Sequence, residues 1–187
     1  TILVSILVYA LLGWLMVAGQ LHQVMAACIA STWTLGAANA DDPVFIQSFE
    51  VGNLKALRAA TRLRLIQLVD AQGGPADMPG TSYDDMLTVQ GLAEIASYAD
   101  GIGPYLGHVL DADGKATALV ANAHAAGLAV HPWTLRKENA FLPPALRKGS
   151  DAAAAGDLAA LVRMVVAAGA DGVFTDDPAL VVSALGR

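Results

Sequence analysis

Two matched segments near the end of the chain constrain its fold most: Gly127-Leu-Ala-Val-His-Pro-Trp-Thr-Leu135 and Gly169-Ala-Asp-Gly-Val-Phe-Thr-Asp-Asp-Pro178. Each follows an alanine-rich helical stretch, starts at a glycine, runs through a short apolar stretch and ends in polar residues. A glycine just past a helix takes the left-handed conformation that closes its last turn. An uninterrupted apolar run is what a parallel strand buried on both faces requires. The pattern therefore predicts, twice over, a helix, a buried strand, and polar side chains at the C-terminal end of that strand. The two segments share an architecture and are not a sequence repeat.

The same alternation recurs from Asp41 onward. Apolar runs at 44–49, 63–69, 99–104, 128–134 and 173–175 read as strands, and 54–61, 87–98, 115–126, 151–168 and 178–185 as helices. Asn53 is placed to cap the first of these helices, and Pro178 to open the last. Two long loops, 72–83 and 136–150, are rich in turn formers. Five strand–helix units in series predict an α/β fold with a parallel sheet covered by helices. Doubly wound sheets and barrels both satisfy that description. No G-x-G-x-x-G follows a strand, so a dinucleotide fold has no positive signal, and the regular series favours the barrel. At 187 residues the chain is short for a complete (β/α)8 barrel, which takes about 250.

Charge divides the chain in two. Its 11 basic and 17 acidic residues all lie in 41–187, and the net charge of −6, with no basic stripe, argues against nucleic acid as a partner. We therefore divide the chain into a hydrophobic, signal- or anchor-like segment, 1–40, and a barrel-type domain, 41–187. Within the first, the uncharged run 1–19 is long enough to span a bilayer as a helix of about 18 residues. Ala38-Asn39-Ala40 fits the small-x-small pattern of a signal-peptidase site. Membrane contact through 1–19 is the expectation, against which stand the lack of a basic n-region and the alternative of a buried helix. The lone cysteine, Cys28, excludes an intrachain disulfide and a site built on several thiolates. A free buried thiol is a better reading of it than a lipoprotein cysteine.

Polar residues cluster at the predicted strand ends: Gln47 and Ser48; Gln67 and Asp70; Tyr105; His131, Trp133 and Thr134; Thr175, Asp176 and Asp177. In a barrel these converge on one mouth. His131 is the acid–base candidate by residue type, and strand alternation puts it on the same side as Trp133. A satisfied structural histidine is an equal alternative. Asp176-Asp177-Pro178 could hold a metal, but an aspartate before proline and a helix is more often an N-cap. Asp100 before Gly101 reads as a turn residue. No nucleophile elbow and no glycine-rich phosphate loop is present. The set reads as a pocket wall without catalytic groups.

With those residues in view, the chain resembles the glycerophosphodiester phosphodiesterase family. The segments that carry the resemblance are Pro43-Val-Phe-Ile-Gln-Ser-Phe-Glu50, Leu54-Lys-Ala-Leu-Arg58, Tyr98-Ala-Asp-Gly-Ile-Gly-Pro104, Val130-His-Pro-Trp-Thr-Leu135 with Arg136, Glu138 and Asn139 behind it, and Asp171-Gly-Val-Phe-Thr-Asp-Asp-Pro178. They stand in the family's order, and their wording is similar to its periplasmic or secreted branch. The resemblance implies the C-terminal part of a TIM barrel of the phospholipase-C-like phosphodiesterase type, here with a hydrophobic N-terminal helix. It further implies metal-dependent hydrolysis of glycerophosphodiesters, small-molecule substrates of lipid and glycerol metabolism, to sn-glycerol 3-phosphate and an alcohol. The expected location is periplasmic or secreted, with or without a membrane anchor.

The family's His-Arg-Gly motif, Glu-x-Asp metal pair and second catalytic histidine have no counterpart here, since 1–40 holds no Asp or Glu and His22 lacks an Arg-Gly neighbour. No catalytic residue and no metal ligand is therefore carried over. The divalent cation, calcium or magnesium, is an expectation for a full-length member whose ligands this sequence lacks. What carries over is a substrate pocket of Gln47, Ser48, Phe49, Trp133, Thr134, Thr175 and Asp176. The expectation is an incomplete chain, inactive alone; the alternative is a non-catalytic, membrane-anchored barrel fragment that binds a phosphodiester or a partner.

Overall fold

The computed structural model of the protein describes residues 3–5, 39–42 and 44–186. Six strands are present among them: β1 (Leu3–Ser5), β2 (Phe45–Ser48), β3 (Arg64–Val69), β4 (Gly101–Pro104), β5 (Ala129–Val130) and β6 (Gly172–Phe174). The helices are α1 (Val51–Ala60), α2 (Tyr83–Met86), α3 (Val89–Ile95), α4 (Leu106–Val109), α5 (Leu119–Ala125), α6 (Leu158–Ala167) and α7 (Pro178–Ala184).

Strands β2, β3, β4 and β5 form one parallel sheet in that order, and β1 pairs in parallel with β6. The two sheets are continuous through backbone bonds. Phe174 N donates to Pro132 O at 3.0 Å, Leu135 N donates to Phe174 O at 2.8 Å, and Leu135 bridges Thr175. The strand order is thus β2-β3-β4-β5-β6-β1, an arc of parallel strands. No pairing joins β1 to β2 among the described residues, so the arc is not seen to close.

Strands β3, β4 and β6 are buried on both faces, which is why their sequences are apolar rather than alternating. Leu65, Val69, Ile102, Val130 and Val173 pack outward into a core with Leu54, Leu57, Leu92, Ile95, Leu161 and Val165 from the helices. Ile66 and Leu68 point the other way and need the space that two glycines leave. A Cβ on Gly103 would lie 2.6 Å from Leu68 Cδ2, and one on Gly101 would lie 2.8 Å from Ile66 Cδ1. Gly127 and Gly169 stop α5 and α6 with φ of 82° and 95°, the left-handed closure the sequence predicts.

Several boundaries differ from the sequence reading. Helix α1 starts at Val51, ahead of Asn53, because its first two N–H groups donate to a distant carboxylate, Asp77, at 3.2 and 2.5 Å. The helix expected at 87–98 is the shorter α3, started where Thr88 accepts from Gly91 N, and a separate short helix, α2, precedes it at Tyr83–Met86. The alanine-rich helix begins at Leu158 rather than 151, where Asp157 caps it through Ala160 N at 2.9 Å. Likewise α5 begins at Leu119 rather than 115. Asp100 is a tie rather than a turn residue: its carboxylate binds Arg58 and accepts from Leu65 N.

Most of the run 1–19 lies outside the described residues, as do Cys28 and Ala38. The described part, Leu3–Ser5, is a strand rather than a helix. Among the described residues no helix is long and apolar enough to cross a membrane.

Core packing gives a direct check on this arrangement. Leu161→Ala should lower the unfolding free energy by about 3 kcal/mol in urea denaturation, through lost burial and the cavity left behind. Val166→Ala, on the exposed side of the same helix, should change it by less than about 0.5 kcal/mol.

Candidate functional site

All C-terminal strand ends lie along one edge of the arc, because every strand runs the same way. At the end of β2 the chain turns through Ser48, Phe49 and Glu50 into α1. Ser48 Oγ accepts from Glu50 N at 3.0 Å and donates to the Glu50 carboxylate at 2.9 Å, while Asn53 Nδ2 donates to the same carboxylate at 3.4 Å. On the neighbouring strand the buried Gln67 amide donates towards Ser48 O, Phe49 O and Leu68 O at 3.3, 3.0 and 3.0 Å.

This turn presents Phe49 to Trp133. Their ring centroids are 6.0 Å apart with planes at 90°, an edge-to-face geometry favoured by the ring quadrupoles. The wall extends on both sides. Tyr105 lies 5.7 Å from Trp133, and Tyr83 lies 6.2 Å from Phe49. Trp133 Nε1 donates to Gly103 O at 2.7 Å, which fixes the indole over β4. His108 Nε2 meets Asp70 O at 2.9 Å behind Tyr105. Burial pushes the Tyr83 phenol above its usual pKa, with smaller contributions from Asp70, Glu50 and Asp77.

The ends of β5 and β6 are tied by charge and hydroxyl. Thr175 Oγ1 donates to Leu135 O at 2.8 Å and accepts from Asp177 N at 3.0 Å. Asp177 stands at the N-cap position of α7, but its side chain caps no N–H. It pairs with Lys137 at 2.5 Å, and the Asp176 carboxylate pairs with Arg136 Nε at 2.9 Å. Arg136 also reaches Glu138 at 3.6 Å and stacks 4.0 Å over the Phe141 ring. The hydrogen bond from Lys137 to Asp177 holds the ammonium above its ordinary pKa. Glu50, Asp176 and Asp177 are thus all engaged, and no group of three or more candidate ligands among the described residues could hold a metal ion.

One layer below the wall, on the inner face, His131 is 2% exposed and packs edge-on against Phe45 at 4.8 Å, with Phe174 at 6.3 Å. Among the described residues its Nδ1 has no hydrogen-bond partner, and neither does Gln47 Oε1, which alternation along β2 places on the same face as Phe45. Arg64 stacks on the other side of Phe45 at 4.0 Å. Burial, aided slightly by Arg64 and opposed by Asp171, lowers the His131 pKa to about 4. His131 is therefore neutral near pH 7 and enclosed by rings, a packed residue rather than an exposed base.

Of the seven residues predicted for the pocket, Phe49 and Trp133 meet. Gln47 and Thr134 border the same edge, Ser48 braces the turn, and Thr175 and Asp176 are held in the β5–β6 tie. Sequence reasoning missed Tyr83, Asp77 and the Arg136–Asp176 pair, none of which leaves a local signal. Gln67 did leave one, as an amide inside an apolar strand. Two depressions lie away from this edge. One of about 210 Å³ sits among Val51, Met78, Met86 and Tyr98, and one of about 340 Å³ surrounds the His124–Asp171 pair beside Gly127.

Comparison with known proteins agrees with this architecture. The model of the glycerophosphoryl diester phosphodiesterase family matches residues 8–180. A curated relative, glycerophosphodiester phosphodiesterase GDPD6 of Arabidopsis thaliana, is 33% identical over 104 residues, covering 54% of this chain and 28% of its own length. Two solved structures that carry the glycerophosphoryl diester phosphodiesterase name share the fold. The one from Silicibacter pomeroyi has a TM-score of 0.55 at 22% identity, with 87% of this chain and 43% of that one covered. The one from Agrobacterium tumefaciens has a TM-score of 0.53 at 20% identity, with 86% and 49% covered. The chain spans less than half the length of each of these relatives.

The buried histidine makes stability depend on pH. Between pH 6.5 and about 4 the unfolded chain takes up a proton at His131 that the folded chain refuses, so stability is full above 6.5 and falls as the pH drops through that window. The loss attributable to His131 should total about 3 kcal/mol. Urea unfolding at pH 7, 5.5 and 4 should show that slope, and His131→Leu should flatten it.

Proposed function

The chain belongs to the glycerophosphoryl diester phosphodiesterase family, and from that membership we propose that it serves hydrolysis of glycerophosphodiesters to sn-glycerol 3-phosphate and a free alcohol. The observation that carries this reading is the family match across residues 8–180. In such a reaction the oxygen of water bonds to phosphorus, the bond from phosphorus to the alcohol oxygen breaks, and that oxygen takes up a proton.

The residues of this chain would bind and orient the substrate. Phe49, Trp133 and Tyr105 offer apolar edges and faces to the carbon skeleton of the glycerol. The Gln47 carbonyl, which has no partner among the described residues, suits a glycerol hydroxyl, since a donor there would relieve a buried acceptor. Thr134, with Thr175 and Asp176 in their tie, would close the far side.

The carboxylates along this edge do not fit the divalent cation, calcium or magnesium, that the family implies. Asp176 and Asp177 neutralise Arg136 and Lys137, and Glu50 braces the turn into α1. A cation would need carboxylates other than these, and the role we assign to this edge is confined to binding and orientation. We further propose that the chain by itself does not turn over substrate, since His-Arg-Gly and Glu-x-Asp are missing from its sequence. The wording of the matched segments supports a periplasmic or secreted location.

The purified chain should bind glycerophosphocholine with a change in tryptophan emission and release no choline above the buffer rate, with or without calcium. Trp133→Ala should weaken binding by about ten-fold, as expected for loss of a large buried aromatic contact. Hydrolysis that EDTA abolishes would overturn the inactivity. Absence of saturable binding would overturn the substrate wall.

A further inference from the structure

We propose that Gln67 is a positioning residue that sets Phe49 on the substrate wall; the identity of the ligand rests on the phosphodiesterase reading, whereas the geometry does not. Gln67 sits in β3 on the face that packs against the helices, between Leu65 and Val69, and is fully buried. An amide in such a place costs stability unless its polar atoms are paired. Here they are. Its nitrogen faces three carbonyls, Ser48 O, Phe49 O and Leu68 O, and its oxygen accepts from Tyr98 OH at 3.0 Å.

Two of those carbonyls belong to the turn that leaves β2, where the strand ladder ends and carbonyls lose their partners. The N–H groups of the same turn are satisfied separately, Glu50 N by Ser48 Oγ and Val51 and Gly52 N by Asp77. Gln67 therefore holds the carbonyl side of a turn whose amide side is held by others. Phe49 is the residue between them, and its ring makes the contacts with both Trp133 and Tyr83. Tyr98 anchors the amide from the far side and is itself buried, and burial holds its hydroxyl un-ionised. Tyr98–Gln67–Phe49 is a chain of contacts from the helix layer to the edge.

The test uses the full chain with Trp14→Phe and Trp33→Phe, so that Trp133 is the sole tryptophan. Gln67→Met, Tyr98→Phe and, as a control of core stability, Leu161→Ala are compared well below their unfolding midpoints. The readouts are near-ultraviolet circular dichroism and titration of Trp133 emission with sn-glycerol 3-phosphate. Gln67→Met should change the aromatic dichroism and weaken the ligand by about ten-fold, the loss expected when hydrogen bonds that fix a contact are removed. Tyr98→Phe should have a smaller effect in the same direction, and Leu161→Ala should leave both readouts as in the parent.

Parent-like dichroism and affinity in Gln67→Met, or losses no larger than in Leu161→Ala, would overturn the positioning role. Should the parent itself fail to bind sn-glycerol 3-phosphate, the phosphodiesterase reading fails. The role of Gln67 is then decided by dichroism alone: a changed band in Gln67→Met upholds it and an unchanged band overturns it.

Discussion

Parallel strand direction is the constraint on which the rest of the molecule depends. A parallel sheet needs cover on both faces, so each strand must supply apolar residues outward to the helices and inward to its neighbours. Leu65 and Val69 do the first, and Ile66 and Leu68 the second, against glycines whose missing side chains make the room. The same direction brings every C-terminal strand end to one edge. Phe49, Tyr105 and Trp133 meet there although they come from three different strand–helix units.

Features with a local cause were legible in the sequence. Gly127 and Gly169 end their helices because only glycine takes those φ values without strain, and the apolar runs at 44–49 and 63–69 contain β2 and β3. Features with a distant cause were not. Asp77 starts α1 from a loop 25 residues away, which displaces Asn53 from the role its spacing suggests. Alanine content carried the predicted helix back to 151, but the cap that decides the start is Asp157. In the first apolar run, a parallel strand and a membrane segment have the same composition, so hydropathy alone pointed to the helix while Leu3–Ser5 pairs with β6.

The candidate site divides in the same way. Phe49 and Trp133 were identifiable as strand-end aromatics, because alternation and parallel order suffice to bring them to one edge. Asp177 was read as a cap from its place before Pro178, and it holds the N-cap position of α7, yet its side chain caps no N–H and pairs instead with Lys137 from the preceding loop. His131 had an even choice between base and packing residue. Phe45 and Phe174 settle its surroundings, and neither is near it in sequence.

Charge pairing sets what this edge can contribute to catalysis. Stabilising a phosphoryl group in its transition state calls for donors and cations aimed at the developing charge and not already neutralised. Along this edge Arg136 faces Asp176 and Glu138, and Lys137 faces Asp177, so each cation spends its field on a carboxylate of its own chain. These pairs are partly exposed and each is worth little to stability; their effect is to leave the edge without an uncommitted cation among these groups. The aromatic wall and the Gln47 carbonyl carry no charge at all. Their contribution is to hold a substrate in one orientation, which lowers the entropic part of a barrier. In the proposed function this edge therefore handles the neutral glycerol skeleton, and the charge of the phosphodiester falls to groups other than these.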